Sequence, residues 1–126
     1  MAHPIGYVFA AVFVAVLTLT SARAEGYLSA LPDMPLAAGL AELPEETLVF
    51  DKPEGRIIRA SATRAAGISD SAIARFYIAT LPNLGWQAPK DKAARGAGDL
   101  TFTRKGENLR ITFSANRIVF DLAPTP

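Results

Sequence analysis

Two arginines and three threonines have the side-chain types that best suit recognition of an anionic or hydroxyl-rich group. A guanidinium can donate two parallel hydrogen bonds to a carboxylate or a phosphate, and threonine hydroxyls add further donors and acceptors. The set comprises Arg59, Arg110, Thr101, Thr103 and Thr112. If these positions share one face of a sheet, they predict a binding face for a carboxylate, a phosphate or a glycan. An ordinary solvated sheet surface is the alternative, and the parity of the strand over residues 56–63 stays open.

Histidine and cysteine chemistry is almost excluded by composition. The only His is His3, and the chain has no Cys. Beyond position 3 the chain therefore lacks the residues for Ser-His-Asp or Cys-His catalysis, for His or Cys metal sites and for disulfides. We predict no cofactor and no metal site.

The remaining catalytic options are carboxylates or a Ser–Lys pair. Asp51 and Glu54 share one predicted turn, but their spacing does not match a calcium-binding loop, and acidic residues are common in turns. No serine and lysine lie in a recognisable motif. Gly96 and Gly98 lie in a charged loop and not at a strand-to-helix turn that could cradle phosphate. We therefore predict no catalytic residue.

Residues 1–24 have the layout of a secretory signal peptide. An uncharged apolar run of 16 residues, Ile5 to Thr20, is followed by Ala22 and Ala24 at the −3 and −1 positions of a cleavage after Ala24. An uncleaved membrane anchor is the alternative, although a membrane-spanning helix needs about 20 apolar residues. Cleavage predicts a periplasmic or secreted protein that keeps no membrane span.

Cleavage after Ala24 would leave a domain with balanced charge. The full chain has 13 Lys and Arg against 12 Asp and Glu, and residues 1–24 contain Arg23 but no acidic residue. The 102 residues that follow thus carry 12 charges of each sign. Nucleic-acid-binding proteins usually have a clear basic excess, so this composition argues against nucleic acid as a partner.

A Leu- and Pro-rich segment over residues 25–46 precedes the main domain at 47–126. Its three prolines exclude a long regular element, although Pro35 could start a two-turn helix over Leu36–Leu43. Six Leu or Met side chains are more than a free tail would contain. We expect this segment to lie across the domain as an apolar strap.

One strong helix signal begins at Ser69. Ser69 is a good N-cap, and Gly85 supplies the end of the helix. Large side chains with helical spacing lie on one face, and they are Ile73, Phe76, Tyr77, Leu81 and Leu84. For Tyr77 and Trp86 we favour packing over stacking against a ligand. Ile78 lies outside the apolar stripe, so it is either exposed or covered by the strap, and we favour the strap.

Short strands surround this helix in the sequence. Thr47–Asp51 and Arg56–Thr63 flank a Pro-Glu-Gly turn and predict a hairpin, with one long bent strand as the alternative. Trp86–Ala88 could open a further strand, and residues 89–98 indicate a mobile loop. Three alternating segments then predict a meander, namely Asp99–Arg104, Asn108–Ser114 and Arg117–Leu122.

The order of these elements predicts an α+β fold. A single helix would pack on one face of a mainly antiparallel sheet in the order β-β-α-(β)-β-β-β. The opposite face would then be polar and open.

The sequence contains four pieces with a recognisable pattern, at residues 31–35, 49–56, 76–86 and 102–107. They resemble small exported alphaproteobacterial proteins of unassigned function, and the similarity covers most of the chain after residue 24. The resemblance implies export but no activity and no site. The sequence thus favours a non-enzymatic periplasmic module that binds an envelope protein or glycan. A small hydrolase that uses Asp and Glu carboxylates is the alternative.

Overall fold

The structure, a computed structural model, describes residues 26–88 and 98–126. The predicted signal peptide, its cleavage site at Ala24 and nearly all of the predicted mobile loop lie outside the described residues. Within them, no helix is long and apolar enough to cross a membrane.

Eight strands and one α-helix make up the described part of the chain. The strands are β1 (Gly26–Tyr27), β2 (Pro35–Leu36), β3 (Leu40–Glu42), β4 (Leu48–Lys52), β5 (Gly55–Arg64), β6 (Asp99–Arg104), β7 (Glu107–Phe113) and β8 (Arg117–Pro124). The helix is α1 (Asp70–Thr80), and short 3-10 helices cover Pro44–Glu46 and Leu81–Leu84. The fold is α+β, as the order of elements predicts.

Six of the strands form one antiparallel sheet in the order β3-β5-β8-β7-β6, with β4 paired to β5 beside β3. The predicted hairpin is confirmed, because Lys52 is opposite Gly55 across a two-residue loop. The predicted meander is also confirmed. Of the predicted strand at Trp86–Ala88, only an isolated bridge between Gln87 and Thr103 forms.

The core lies between one face of this sheet and α1. Alternate residues of the meander, such as Phe102, Ile111 and Phe120, are buried together with Ile73 and Tyr77 of the helix. The rings of Tyr77 and Phe120 meet edge to face with centroids 5.6 Å apart. Trp86 is also buried, which agrees with the prediction that it packs in the interior.

The predicted start of the helix is confirmed, and the helical segment ends at Gly85 as predicted, although α1 itself ends at Thr80. The side chain of Ser69 accepts a hydrogen bond from the Ala72 N–H at 3.1 Å, so it caps the first turn. Pro82 lies in the short 3-10 helix that continues α1. Gly85 then ends this helix in the left-handed region at φ 90°, where a side chain would be strained.

The strap packs into the core, but it contains no helix over Leu36–Leu43. Leu36 instead belongs to β2, and Leu40 pairs with Arg64 of β5. Gly39, at φ 87°, turns the chain between them, and a Cβ there would lie 2.8 Å from Ile68. Pairing with the main sheet therefore overrides the local helical pattern.

The strap also fails to cover Ile78, which is 40% exposed. It crosses the other side of the helix, where the Tyr77 hydroxyl donates to the Pro35 carbonyl at 2.8 Å and accepts from the Ala37 N–H at 3.2 Å. Leu84 is also partly exposed because the 3-10 geometry after Thr80 breaks the helical periodicity.

Candidate binding face

The register of the sheet places all five predicted binding residues on the face opposite the core. Arg59 is opposite Asp121, Asp121 is opposite Arg110, and Arg110 is opposite Thr101, so four strands contribute to one row. Side chains two positions apart on a strand share a face. Thr103 and Thr112 therefore lie on the same face, one in the strand of Thr101 and the other in that of Arg110. We call this surface the open face.

Arg59 is held in place on the open face by Asp121. Its Nε donates to Oδ1 of Asp121 at 2.6 Å, and its side chain is 57% exposed. The hydrogen bond and the negative charge of Asp121 raise the pKa of Arg59. This contact settles the parity of the strand over residues 56–63, since it places Arg59 outside the core.

Arg110 is exposed and forms no ion pair among the described residues. It borders a shallow depression of about 180 Å³ that is also lined by Asn108, Asp121 and Ala123. The two arginines and Asp121 leave one net positive charge in this row. A fork of N–H donors at such a point can bind a carboxylate or a phosphate.

The open face ends in an apolar corner at β4. Leu48 is opposite Arg59, and Phe50 is opposite Ile57, so both side chains share the face of Arg59. Leu48 is 51% and Phe50 is 56% exposed. The open face thus combines charged and apolar groups.

Sequence reasoning missed a larger cleft at the turn between β6 and β7. It has a volume of about 640 Å³ and is lined mainly by polar groups, among them Asp33, Gln87, Thr103, Lys105 and Glu107. Glu107 pairs with Arg56 at 3.0 Å, and its hydrogen bond raises the pKa of Arg56. We call this cleft the turn cleft.

Arg104 ties the wall of the turn cleft together. Its guanidinium lies 4.2 Å from the centroid of the Trp86 ring, donates to the Leu84 carbonyl at 3.1 Å and pairs with Asp33 at 2.8 Å. These three contacts join β6, the end of the helical segment and the strap. No local pattern could reveal this role, because Asp33 lies 71 positions before Arg104 in the chain.

The described carboxylates are mostly engaged in structural contacts. Five of them pair with arginines, in the pairs Arg56–Glu107, Arg59–Asp121, Arg64–Asp70, Arg104–Asp33 and Arg117–Glu46. In residues 26–88 and 98–126 no three His, Cys, Asp or Glu side chains come together as a metal site would require. Asp51 and Glu54, in the β4–β5 hairpin, are exposed.

Comparison of the chain with protein-family models, with curated proteins and with solved structures found no match. The resemblance to small exported alphaproteobacterial proteins therefore stays a prediction.

Proposed function

We propose that the protein is exported and acts in the periplasm as a non-enzymatic binding or accessory module of the cell envelope. Its open face would bind an acidic group of an envelope protein or glycan. The observation that carries this proposal is Arg110, an exposed guanidinium without an ion pair among the described residues. The neighbouring Arg59–Asp121 pair is already engaged, so Arg110 is the group best placed to accept a new anionic partner.

A partner would meet a surface that is already formed. Four antiparallel strands hold the row from Arg59 to Thr101, so little ordering is needed on binding. Thr101 is opposite Arg110 on the neighbouring strand β6, and Thr112 follows Arg110 by two positions on β7. Their hydroxyls can bind a second group of the ligand. The apolar corner at Leu48 and Phe50 adds area that suits a protein better than a free ion.

Replacing Arg110 with Met tests the binding role. A lost pair of charge-assisted hydrogen bonds should weaken binding roughly 10-fold to 100-fold. Isolated peptidoglycan sacculi, whose stem peptides carry carboxylates, provide the glycan arm. A cross-linked periplasmic extract provides the protein arm. In both arms the measured quantity is the fraction of the 25–126 protein that the preparation retains. Arg110→Lys keeps the charge but not the fork and should bind with intermediate strength.

Arg75→Met is the matched control, because Arg75 is an exposed helix arginine away from the sheet. It should bind like the unsubstituted protein. Lys105→Met tests the turn cleft in the same assays and should also leave retention unchanged. The proposal is wrong if the unsubstituted protein binds neither preparation, or if Arg110→Met binds as well as Arg75→Met.

Export is tested on the full chain. Signal peptidases require small residues at the −1 and −3 positions. The periplasmic fraction of an expressing Gram-negative host should therefore contain a protein whose N-terminal residue is Glu25. Ala24→Leu should block this processing, whereas Ser21→Ala should not. Recovery of only the full-length chain, in the membrane fraction, would contradict export of a processed module.

A further inference from the structure

The turn cleft is a polar cavity whose walls are held by contacts between distant parts of the chain. Its volume of about 640 Å³ lies within the range of roughly 300–1,000 Å³ that is typical of small-molecule sites. Arg104 fixes one side through its contacts with Asp33 and Trp86. On another side the backbones of Gln87 and Thr103 exchange two hydrogen bonds, at 2.8 and 2.9 Å. A small ligand would therefore meet walls that are already in place.

The turn at the rim of the cleft has a left-handed backbone. Lys105 and Gly106 form the two-residue loop between the paired residues Arg104 and Glu107, and their φ angles are 46° and 79°. Two positive φ angles indicate a type I′ turn, for which Asn-Gly is a favoured sequence. The N–H and the hydroxyl of Thr125 both donate to the Gly106 carbonyl, at 2.8 and 3.0 Å, and so hold the turn in place.

Lys105 has a backbone conformation that a lysine disfavours. Among the described residues it is the only one other than glycine with a positive φ. Asparagine would adopt this conformation more easily, because its short polar side chain bonds to the nearby backbone. Strained residues of this kind are concentrated at binding and catalytic sites, where the side chain has a specific role. The strain at Lys105 thus points to a role for its ammonium group in the cleft.

The charged groups that line the cleft leave this ammonium group uncompensated. Asp33 pairs with Arg104, and Glu107 accepts two hydrogen bonds from Arg56. Lys105 lines the cleft and forms no ion pair within the described part of the chain. Because an arginine already neutralises each carboxylate, a cationic ligand would find no free negative charge here. The cleft therefore favours a ligand with one negative charge.

The neutral hydrogen-bonding groups of the cleft indicate what else the ligand carries. One oxygen of Asp33 bonds to Arg104, and the side chain is 46% exposed, so its second oxygen can accept from a hydroxyl group. The exposed Gln87 adds an amide that can both donate and accept. A phosphate carries close to two negative charges and would be repelled by Asp33 and Glu107, whereas a carboxylate matches the single charge of Lys105.

We infer that the turn cleft binds a small carboxylate that carries hydroxyl groups, such as a uronic acid. Lys105 binds the carboxylate group, and Asp33 and Gln87 bind the hydroxyls. Arg110 does not line this cleft, so the inference does not depend on the proposed function of the open face.

A titration followed by amide NMR tests the site, with sodium D-glucuronate as the probe and the 25–126 protein as the sample. The amide signals of Gly85, Gln87 and Gly106 should shift, with a Kd on the order of 1 mM for a ligand of this size. Glucose lacks the charge and propionate lacks the hydroxyls, so each should bind at least about fivefold more weakly. Absence of a saturable shift with glucuronate, or equal binding of the three probes, would overturn the inference.

Two substitutions of Lys105 separate its role in binding from its role in the fold. Lys105→Met should weaken glucuronate binding roughly fivefold to tenfold. Lys105→Asn should weaken it as much, yet raise the midpoint of urea unfolding, because Asn-Gly suits the turn. Lys52→Met is the matched control, since Lys52 is an exposed lysine beside the other two-residue hairpin loop, and it should bind like the unsubstituted protein. Equal binding by Lys105→Met and Lys52→Met would contradict the assigned role.

Arg110→Met distinguishes this site from the open face. It should keep the glucuronate shifts, while Lys105→Met should keep retention in the sacculus and extract assays. If Arg110→Met loses glucuronate binding and Lys105→Met does not, the carboxylate binds to the open face, and the inference is wrong while the proposed function stands. If neither preparation retains the protein but glucuronate binds as described, the proposed function fails and the inference stands.

Discussion

Replacement of Tyr77 with Phe should lower the free energy of unfolding by about 2–4 kcal/mol. The Tyr77 hydroxyl is the partner of two buried backbone groups, the Pro35 carbonyl and the Ala37 N–H. Removing one oxygen leaves both without this partner, and each buried group without a partner costs about 1–3 kcal/mol. The ring remains and still packs against Phe120, so the loss reports the hydrogen bonds alone.

Urea unfolding followed by fluorescence measures this loss, since Trp86 is the only tryptophan. Tyr27→Phe is the matched control, because Tyr27 is 58% exposed and its hydroxyl is accessible to water. It should change stability by less than about 0.5 kcal/mol. Equal effects of the two substitutions would show that Tyr77 does not anchor the strap.

The same side chain should make stability depend on pH in alkaline solution. Burial raises the pKa of Tyr77 above its ordinary value of 10.0, although the Ala37 N–H opposes this shift. Above pH 10 the unfolded chain loses the proton while the folded chain keeps it, so rising pH favours unfolding. Stability should fall by about 1.4 kcal/mol per pH unit from this group alone. The contribution of Tyr77 to stability should be fully present below pH 10. The Tyr77→Phe variant should lack this component of the pH dependence.

The sheet and the helix could be predicted because their signals are local. Alternation in the meander reflects a sheet with one face in the core, and Ser69 and Gly85 mark helix ends through their own backbone geometry. By contrast, the sequence does not show which residues of β5 face the core. Arg59, Ser61 and Thr63 alternate with Ile58, Ala60 and Ala62, and small side chains give too little contrast to identify the buried side.

The strap could be predicted to pack, but its conformation could not be predicted. Leu36 and Leu40 have the spacing of a helix turn, yet their backbones bond to β1 and β5. Those pairings join residues that are up to 24 positions apart, so no local window contains them. Ile78 was misassigned for the same reason, because the side of α1 that the strap crosses depends on Tyr77.

The open face, too, could be predicted only in part from the sequence. Sequence alternation identified Arg110 and the three threonines as polar positions, and the register then aligned them with Arg59. The Arg59–Asp121 pair and the role of Arg104 depend on strand neighbours and on the strap. Ion pairs between distant segments leave no periodic signal in a sequence.

Replacement of Arg104 with Ala should lower the free energy of unfolding by roughly 2–3 kcal/mol. The guanidinium is largely buried, with 15% of the side chain exposed, whereas Asp33 is 46% exposed and partly screened by water. Charge-assisted hydrogen bonds contribute about 1.5–3 kcal/mol and a cation on an aromatic ring about 0.5–1 kcal/mol. Arg104→Lys keeps the charge without the planar contact to Trp86 and should recover about half of the loss. Arg75→Ala, on the exposed helix surface, should have little effect.

Combining Arg104→Ala with Tyr77→Phe distinguishes a shared role from two independent ones. Arg104 holds the strap at Asp33, and Tyr77 holds it at Pro35 and Ala37, within four positions. If the strap detaches as a unit, either substitution alone already weakens the attachment of the strap that the other substitution would also weaken. The double variant should therefore lose less than the sum of the single losses, by about 0.5–2 kcal/mol. Strict additivity would mean that Arg104 stabilises the end of the helical segment through Leu84 and Trp86 without holding the strap.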